Sequence, residues 1–365
     1  MSALARLMAA TSADPLQHAH RHARSGGRVI GMVGAEVPVE LALAAGAMPV
    51  VLPAFAGEST PEADRYLEPT FTPQLRSITG QWLSGRLDFM QAVIFSRADD
   101  SAQRCYYYLC ELRRRGLAAG PVPLIFDVAK IPRATSLAHT QAATVALAED
   151  LSSDVTRLHA AIATRDQRRS LLTRLDLLRR SDRPPPGPDC ARLLRLADAV
   201  PAEQLDGELA VWLRDECPQH RGPRVLLAGT TPPDERLHEA VERAGGRIVG
   251  EIDDEGTDRL GPAIGESSDP IAALACHYHC LRYGPRAFCD RVSRLVSRAV
   301  ECAADGVISW LIEEDETSAW HVPRTVAALA AARIPLLSLT RRRWDGQDGA
   351  LDDIAAFTQE LPKRS

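Results

Sequence analysis

The sequence predicts an α/β protein with two parallel-sheet domains and an α-helical segment between them. Short apolar runs alternate with helical patterns near both ends of the 365-residue chain, as they do in βαβ units. No strand pattern interrupts the middle of the chain. The order of elements is the same near both ends, although few residues are identical. We therefore expect α/β domains at residues 1–143 and 221–365 and a helical segment at residues 144–220.

The first domain is predicted to begin its sheet with a buried strand at Arg28–Val33. Gly34 and Pro38 mark the turn into a helix, which ends at Gly46 as a C-cap. A helix is also expected over residues 101–115, directly after the third strand. The later strands are predicted at residues 49–52, 89–95 and 122–126.

The middle segment carries apolar residues at helical spacing, for example between Val145 and Ile162, and a proline-rich run at residues 184–188 breaks it. The α/β pattern returns at Arg224. The second domain is predicted to have strands at residues 225–229, 247–252, 305–311 and 334–339. Its helices are predicted at residues 235–244, 271–283, 288–303 and 322–332.

The composition excludes several classes of function. The net charge is −5, and the arginine runs at residues 113–115 and 341–343 are short, so a general nucleic-acid footprint is missing. No apolar run approaches the ~20 residues that span a bilayer. Residues 1–14 lack the apolar core of a secretory signal. We expect a cytoplasmic protein whose eight cysteines are reduced thiols.

Two predicted strands run into acidic loops, at Asp99 and Asp100 and at residues 313–316. Ligands of open α/β sheets bind beyond the carboxyl ends of the strands. Converging carboxylates there would bind a hard divalent cation or raise one another's pKa for acid–base catalysis. The alternative is an acidic surface loop that stabilises a helix N-terminus. The candidate catalytic residues are Asp99, Asp100, Glu314 and Asp315.

Three further motifs have both a functional and a plain structural interpretation. Backbone N–H groups at Gly229, Thr230 and Thr231 follow a strand and suit a phosphate or CoA group, but an ordinary βα turn is the alternative. The Cys-His-Tyr-His-Cys run at residues 276–280 resembles half of a metal site, yet no second ligand pair accompanies it, which favours buried apolar cysteines. Acidic residues flank Pro38 at positions 36 and 40, where they are expected to cap the first helix.

Several segments keep one order and spacing along nearly the full length. They are Val-Pro-Val-Glu-Leu at 37–41, Ala-Ala-Gly at 44–46 with Pro49, Asp99 followed by Arg-Cys-Tyr-Tyr-Tyr-Leu at 104–109, Arg-Arg-Ser-Leu-Leu at 168–172, Arg224–Gly229, Ala-Gly-Gly at 244–246, Asp-Gly-Val-Ile at 305–308 and Ile-Pro at 334–335. Together they resemble the large subunits of the 2-hydroxyacyl-CoA dehydratase/benzoyl-CoA reductase family. This resemblance implies two flavodoxin-like, Rossmann-like α/β domains with helices between them.

The resemblance also implies a [4Fe–4S] cluster, held in part by a cysteine after the third strand of each half. Here Ala98 precedes Asp99, Asp315 precedes Glu316, and the loop after the fourth strand, residues 127–132, lacks cysteine. Cluster iron needs thiolates, and carboxylates are poor substitutes. We therefore expect no cofactor and no metal in this chain.

The resulting leading hypothesis is a cluster-free subunit of a heteromeric acyl-CoA enzyme of this family. A cluster-bearing homologous subunit would be its partner, and an acyl-CoA would be the substrate. One alternative is a stand-alone, non-redox acyl-CoA hydratase or dehydratase that uses loop carboxylates such as Asp99 and Asp315. The other is a non-catalytic binding or scaffold subunit. The sequence thus leaves open whether the chain is an enzyme, and it favours a subunit of an acyl-CoA lyase (dehydratase) complex.

Overall fold

A computed structural model describes residues 2–34, 36–282 and 288–362. Over those residues the strands are β1 (Arg28–Val33), β2 (Ala47–Val51), β3 (Ala92–Ser96), β4 (Val122–Phe126), β5 (Arg224–Gly229), β6 (Arg247–Ile252), β7 (Gly306–Ile312) and β8 (Leu336–Arg342). The helices are α1 (Ala3–Ala13), α2 (Gln17–Arg24), α3 (Val39–Ala44), α4 (Pro61–Asp64), α5 (Pro73–Leu83), α6 (Asp100–Arg114), α7 (Ala134–Leu151), α8 (Val155–Arg179), α9 (Gly187–Ala199), α10 (Ala202–Trp212), α11 (Arg236–Arg243), α12 (Pro270–Cys280), α13 (Arg291–Glu301), α14 (Glu316–Ala319), α15 (Val322–Ala331) and α16 (Ala350–Glu360).

The strands form two four-stranded parallel sheets, with the orders β2-β1-β3-β4 and β6-β5-β7-β8. In both sheets the chain passes from the first strand to one neighbour and then to the other, so the two topologies are equivalent. Helices connect successive strands, as parallel pairing requires. This architecture confirms the expected α/β fold with two parallel-sheet domains.

The first sheet belongs to a compact unit made of Met1–Ser170, Leu196–Glu208 and Arg259–Phe288. Successive side chains of a strand point to opposite faces, so one strand can supply two cores. Ile30 of β1 lies in a core formed with α7, α8 and α12. Val29 lies in a core formed with α2, α5 and α6 on the other face. Apolar residues at consecutive positions of β1 are therefore expected, because both faces of this sheet are covered.

The second sheet belongs to a unit made of Leu171–Arg195, Leu209–Asp258 and Cys289–Ser365. All residues of β7 are buried. One core of this unit packs Leu226, Val249 and Val307 of the sheet with side chains of α13 and α15. The segment at residues 144–220 contains α8, α9 and α10 and falls partly in each unit, so the expected domain boundaries stay a proposal.

Most predicted elements lie within three residues of their observed bounds, and β1, β4 and β6 coincide with their predictions. The predicted end of a helix at residue 283 lies outside the described residues. Helices α1, α2, α14 and α16 were not predicted. In the part of the chain that the structure describes, no helix has both the length and the apolar character needed to cross a bilayer.

Candidate functional site

The first acidic loop follows β3, in the first unit. Asp99 is the N-cap of α6, and its carboxylate accepts a hydrogen bond from the N–H of Ala102 at 3.0 Å. Asp100 is exposed in the first turn of the helix, where a negative charge stabilises the helix dipole. Ala98 stands where the resemblance implies a cysteine, and its methyl group is fully buried. Gly34 packs against this turn, since a Cβ there would lie 3.0 Å from the Cβ of Ala102.

The second acidic loop follows β7, in the second unit. Asp315 is the N-cap of α14 and accepts a hydrogen bond from the N–H of Ser318 at 3.1 Å. The hydroxyl of Thr230, from the loop after β5, also donates to Asp315 at 3.1 Å. Glu313 is exposed and lies 3.1 Å from Arg341. The loop is thus held by a cap and by one cross-strand hydroxyl.

The turn after β5 is fastened to the neighbouring strand. Gly229 has a φ of +114°, and a Cβ there would lie 2.3 Å from the carbonyl oxygen of Trp310, so only glycine fits. The N–H of Thr230 donates to that carbonyl at 2.9 Å. The hydroxyl of Thr231 accepts the N–H of Asp254 at 2.9 Å. A phosphate- or CoA-binding role for Gly229, Thr230 and Thr231 stays a prediction.

The candidate carboxylates are divided between the units. Asp99 and Asp100 belong to the first unit, whereas Glu314 and Asp315 belong to the second. Their expected convergence into one catalytic site therefore stays a prediction. Within each unit, the N-cap contacts described above account for the positions of Asp99 and Asp315.

A buried ion pair covers the strand ends of the first unit. Glu36 follows β1 and has a φ of +64°, in the left-handed region. Its carboxylate lies 2.9 Å from the ammonium group of Lys130, which follows β4. The side chains of Glu36 and Lys130 are 0% and 6% exposed. Lys130 also donates to the carbonyl oxygen of Tyr278 at 2.8 Å. Lys130 therefore connects the residues that follow β1 and β4 to helix α12.

A second buried ion pair lies beside the first one. The carboxylate of Glu40 accepts hydrogen bonds from Arg169 at 2.5 Å and from the Tyr278 hydroxyl at 2.9 Å. Burial alone would raise the pKa of Glu40, but the charges of Arg169 and Arg165 lower it below its ordinary value. Burial and the neighbouring Glu40 raise the pKa of Tyr278 far above its usual range. Glu40 is therefore ionised, and Tyr278 remains a hydrogen-bond donor.

Arg169 links this pair to further groups of the same unit. It lies 2.8 Å from Asp166, and its guanidinium donates to the Nε2 of His277 at 3.4 Å. Burial, followed by the charge of Arg169, lowers the pKa of His277 to about 4. His277 is therefore neutral near pH 7 and acts as an acceptor. We refer to Glu36, Lys130, Glu40, Arg169, His277 and Tyr278 as the buried charge cluster.

The expected capping role of the two glutamates is wrong. Helix α3 begins at Val39 after Pro38, and its N-terminus has no side-chain cap. Glu36 and Glu40 are instead members of the buried charge cluster. No sequence pattern had indicated Lys130 as their partner, although its position after a predicted strand end was a usable signal.

The cysteine and histidine side chains of the run on α12 have different contacts. The Sγ atoms of Cys276 and Cys280 lie 3.9 Å apart, and both residues are exposed, so the expectation of buried apolar cysteines is wrong for this pair. His277 faces Arg169, and the Nδ1 of His279 lies 2.6 Å from the carbonyl oxygen of Ala129. Among the described residues, no group of three or more His, Cys, Asp or Glu is placed to hold a metal ion.

The residues at the strand ends do not fit an iron–sulfur cluster at the positions that the resemblance implies. Ala98 and Asp315 provide a methyl group and a carboxylate where thiolates are needed. The first cysteine after Ala98 is Cys105, which is buried and lies 3.4 Å from the hydroxyl of Thr79. Burial raises the pKa of Cys105 to about 12, so this thiol is protonated and is not a ready ligand.

Comparison with known proteins places the chain in a family. A family model described as "2-hydroxyglutaryl-CoA dehydratase, D-component" matches residues 35–358, which contain β2–β8 and the helices between the two sheets. Comparison with individual curated proteins gave no match. The family match supports a component of a dehydratase-type acyl-CoA enzyme and agrees with the resemblance read from the sequence. The chain belongs to the 2-hydroxyglutaryl-CoA dehydratase D-component family.

Proposed function

We propose that this chain is a cluster-free subunit of an acyl-CoA dehydratase and works with a cluster-bearing homologous subunit. Family membership supports the role in a dehydratase system. The observation that carries the proposal is the replacement of thiolate ligands at the ends of the strands. Ala98 puts a fully buried methyl group at one such position, and Asp315 puts a helix-capping carboxylate at the other.

The loop after β4 adds support within the first unit. Lys130 is the ionisable side chain that this loop directs into the buried charge cluster. A protonated lysine has three donors and no lone pair, so it cannot ligate iron. Its ammonium group is paired with Glu36 at 2.9 Å. A thiolate at this edge would therefore have to displace a buried ion pair.

The division of labour in the proposed complex follows from these residues. The partner subunit would supply the redox chemistry. This chain would supply a folded homologous surface and contacts to an acyl-CoA. Gly229, Thr230 and Thr231 are the proposed contacts to CoA or phosphate. All eight cysteines are free thiols, which is compatible with the reducing, cytoplasmic setting that forms part of the proposal.

Metal analysis of the isolated chain tests the absence of a cluster. The chain and a cluster-bearing homologue are purified in parallel without oxygen, and iron and acid-labile sulfide are measured in both. We expect a colourless chain with near-zero iron and sulfide, while the homologue keeps its cluster and thus controls for losses during purification. Stoichiometric iron and sulfide in the chain itself would falsify the proposal.

Assay of the two subunits, separately and together, tests the proposed pairing. We expect dehydration of a 2-hydroxyacyl-CoA by the mixture and not by this chain alone. Turnover by the chain alone would instead support the non-redox enzyme with Asp99, Asp100, Glu314 and Asp315 as candidate catalytic residues. In that case, unchanged turnover after replacement of all four residues by Ala would show that they are not catalytic. A stable complex whose activity does not require this chain would support a scaffold.

A further inference from the structure

A cavity of about 220 Å³ lies within the first unit, away from the acidic loop after β3. Strand β2 forms one wall, and α3 contributes Val39 and Leu43. Met48 and Val50 of β2 add further apolar surface. Opposite side chains come from α8 and from residues 197–203. The cavity therefore combines an apolar wall with a helix that carries arginine residues.

Arg165 of α8 is the notable polar group of this cavity. Its side chain is partly buried, and its Nε atom is shielded from solvent. Within the described residues this Nε has no hydrogen-bond partner, and Arg165 forms no ion pair closer than 4 Å. A shielded guanidinium N–H without an acceptor is unfavourable, because burial removes its water without replacing it. An anion in the cavity would supply the missing acceptor.

The other charged groups that line the cavity are already engaged or lie at its edge. Arg168 donates to Asp206 at 2.8 Å and to the carbonyl oxygens of Ala197 and Val200. Asp198 lies 2.6 Å from Arg259. These contacts neutralise the other interior charges of the lining.

Two carboxylates near the cavity, those of Glu203 and Glu40, could repel a bound anion. Glu203 is exposed, so water screens its charge. The charge of Arg165 lowers the pKa of Glu40, but the carboxylate of Glu40 accepts its hydrogen bonds from Arg169 at 2.5 Å and from Tyr278 at 2.9 Å. Arg165 therefore remains available to a carboxylate ligand, and Arg–carboxylate pairs form two parallel hydrogen bonds.

The volume sets the size of the ligand. An apolar cavity of ~150 Å³ holds one benzene ring, so this cavity accommodates on the order of ten non-hydrogen atoms. An entire CoA thioester is far larger than this limit. We propose that the cavity binds a small monocarboxylic acid, with its carboxylate on Arg165 and its apolar body against Val50 and Leu43. This proposal is independent of the proposed subunit function.

Calorimetric titration of the full chain with hexanoate tests this site, with hexanamide as the neutral probe of equal size. We expect hexanoate to bind at one site and hexanamide to bind about tenfold or more weakly, because the amide cannot form the charge-assisted pair. Arg165→Gln is expected to weaken hexanoate binding by a similar factor. Arg174→Gln, at an exposed position of the same helix, is the matched control and should leave the affinity unchanged.

A second variant tests the apolar wall. Leu43→Phe reduces the cavity volume and should abolish hexanoate binding while the circular dichroism spectrum and thermal midpoint stay near those of the parent. The proposal is overturned if the parent chain does not bind hexanoate. It is also overturned if hexanoate and hexanamide bind equally, or if Arg165→Gln binds hexanoate as well as the parent does.

Discussion

The two units share one sheet topology but differ in what lies at the carboxyl ends of their strands. In the first unit, Glu36 pairs with Lys130 and Glu40 pairs with Arg169, and all four side chains are buried. In the second unit, the Thr230 hydroxyl joins the ends of β5 and β7 through Asp315. Two sheets with the same strand order can therefore have different side-chain contacts at the ends of their strands.

Buried charge is present in the second unit as well, at the carboxyl end of β6. Glu251 on β6 accepts a hydrogen bond from Arg179 at 2.6 Å and lies 2.9 Å from His238 of α11. The charge of Arg179 and the hydrogen bond from His238 outweigh burial and lower the pKa of Glu251. The comparison of the equivalent regions that follow β1 and β5 therefore predicts that substitutions there destabilise the first unit more than the second.

Removal of Arg169 is expected to have the largest effect. Arg169→Met leaves the carboxylate of Glu40 buried without its guanidinium, which typically costs about 3–5 kcal/mol of unfolding free energy. Chemical denaturation measures this loss. Amide hydrogen exchange assigns it to a unit, since β1–β4 should lose protection before β5–β8.

A double variant controls for this interpretation. Glu40→Gln combined with Arg169→Met removes both charges, so it should be more stable than Arg169→Met alone. If the double variant is no more stable than the single one, the cost comes from lost packing and not from an unpaired charge.

The pH dependence of stability should show the second largest effect. The pKa of His277 falls from its ordinary value of 6.5 to about 4 in the folded chain. Between these values the unfolded chain binds a proton that the folded chain does not, so stability decreases as the pH falls from 6.5 toward 4. The full contribution is on the order of 3 kcal/mol. His277→Phe should flatten the curve of unfolding free energy against pH in this interval, and an unaltered slope in the variant would contradict the assignment.

Removal of the two N-caps is expected to have a smaller and similar effect in both units. Asp99→Ala and Asp315→Ala should each lower stability by about 1 kcal/mol, because an N–H at a helix start loses its acceptor. Asn keeps a side-chain oxygen, so Asp99→Asn and Asp315→Asn are matched controls that should retain most of the stability. Thermal unfolding compares the four variants. Equal losses for Ala and Asn would mean that the negative charge matters more than the cap.

Removal of Glu313 should have the smallest effect. Its ion pair with Arg341 is exposed, with side chains 66% and 79% accessible. Exposed pairs contribute little, so Glu313→Ala should change the unfolding free energy by less than about 0.5 kcal/mol. A larger loss, measured by the same denaturation experiment, would show that this loop has contacts beyond the exposed pair.

Much of the fold could be predicted because its signals are local. The strand Val122–Phe126 is an apolar run between turn residues, and its bounds are those predicted. Helix α2 escaped prediction because its sequence, Gln-His-Ala-His-Arg-His-Ala-Arg, has no apolar residues other than Ala19 and Ala23. Burial of His18 and Ala19 contributes tertiary packing, which supplies most of the stability of helices in folded proteins.

The buried charge cluster could not be predicted because its contacts join distant positions. Glu40 and Tyr278 are 238 positions apart, and Lys130 lies 94 positions from Glu36. A lone glutamate near a helix start looks like a cap in any single sequence. Its actual partner is decided by which helices pack over the sheet. The family resemblance, in contrast, was detectable because it depends on the order of short local segments.

The discontinuous first unit has a consequence for how the chain folds during synthesis. Its third piece, Arg259–Phe288, carries Tyr278, and it leaves the ribosome after β5 and β6 of the second unit have been made. The hydrogen bond from the Tyr278 hydroxyl to Glu40 can therefore form only after β5 and β6 have been synthesised. Neither unit is complete until parts of the other have been synthesised. Residues 1–220 and 221–365, when each is expressed alone, should therefore yield fragments that aggregate.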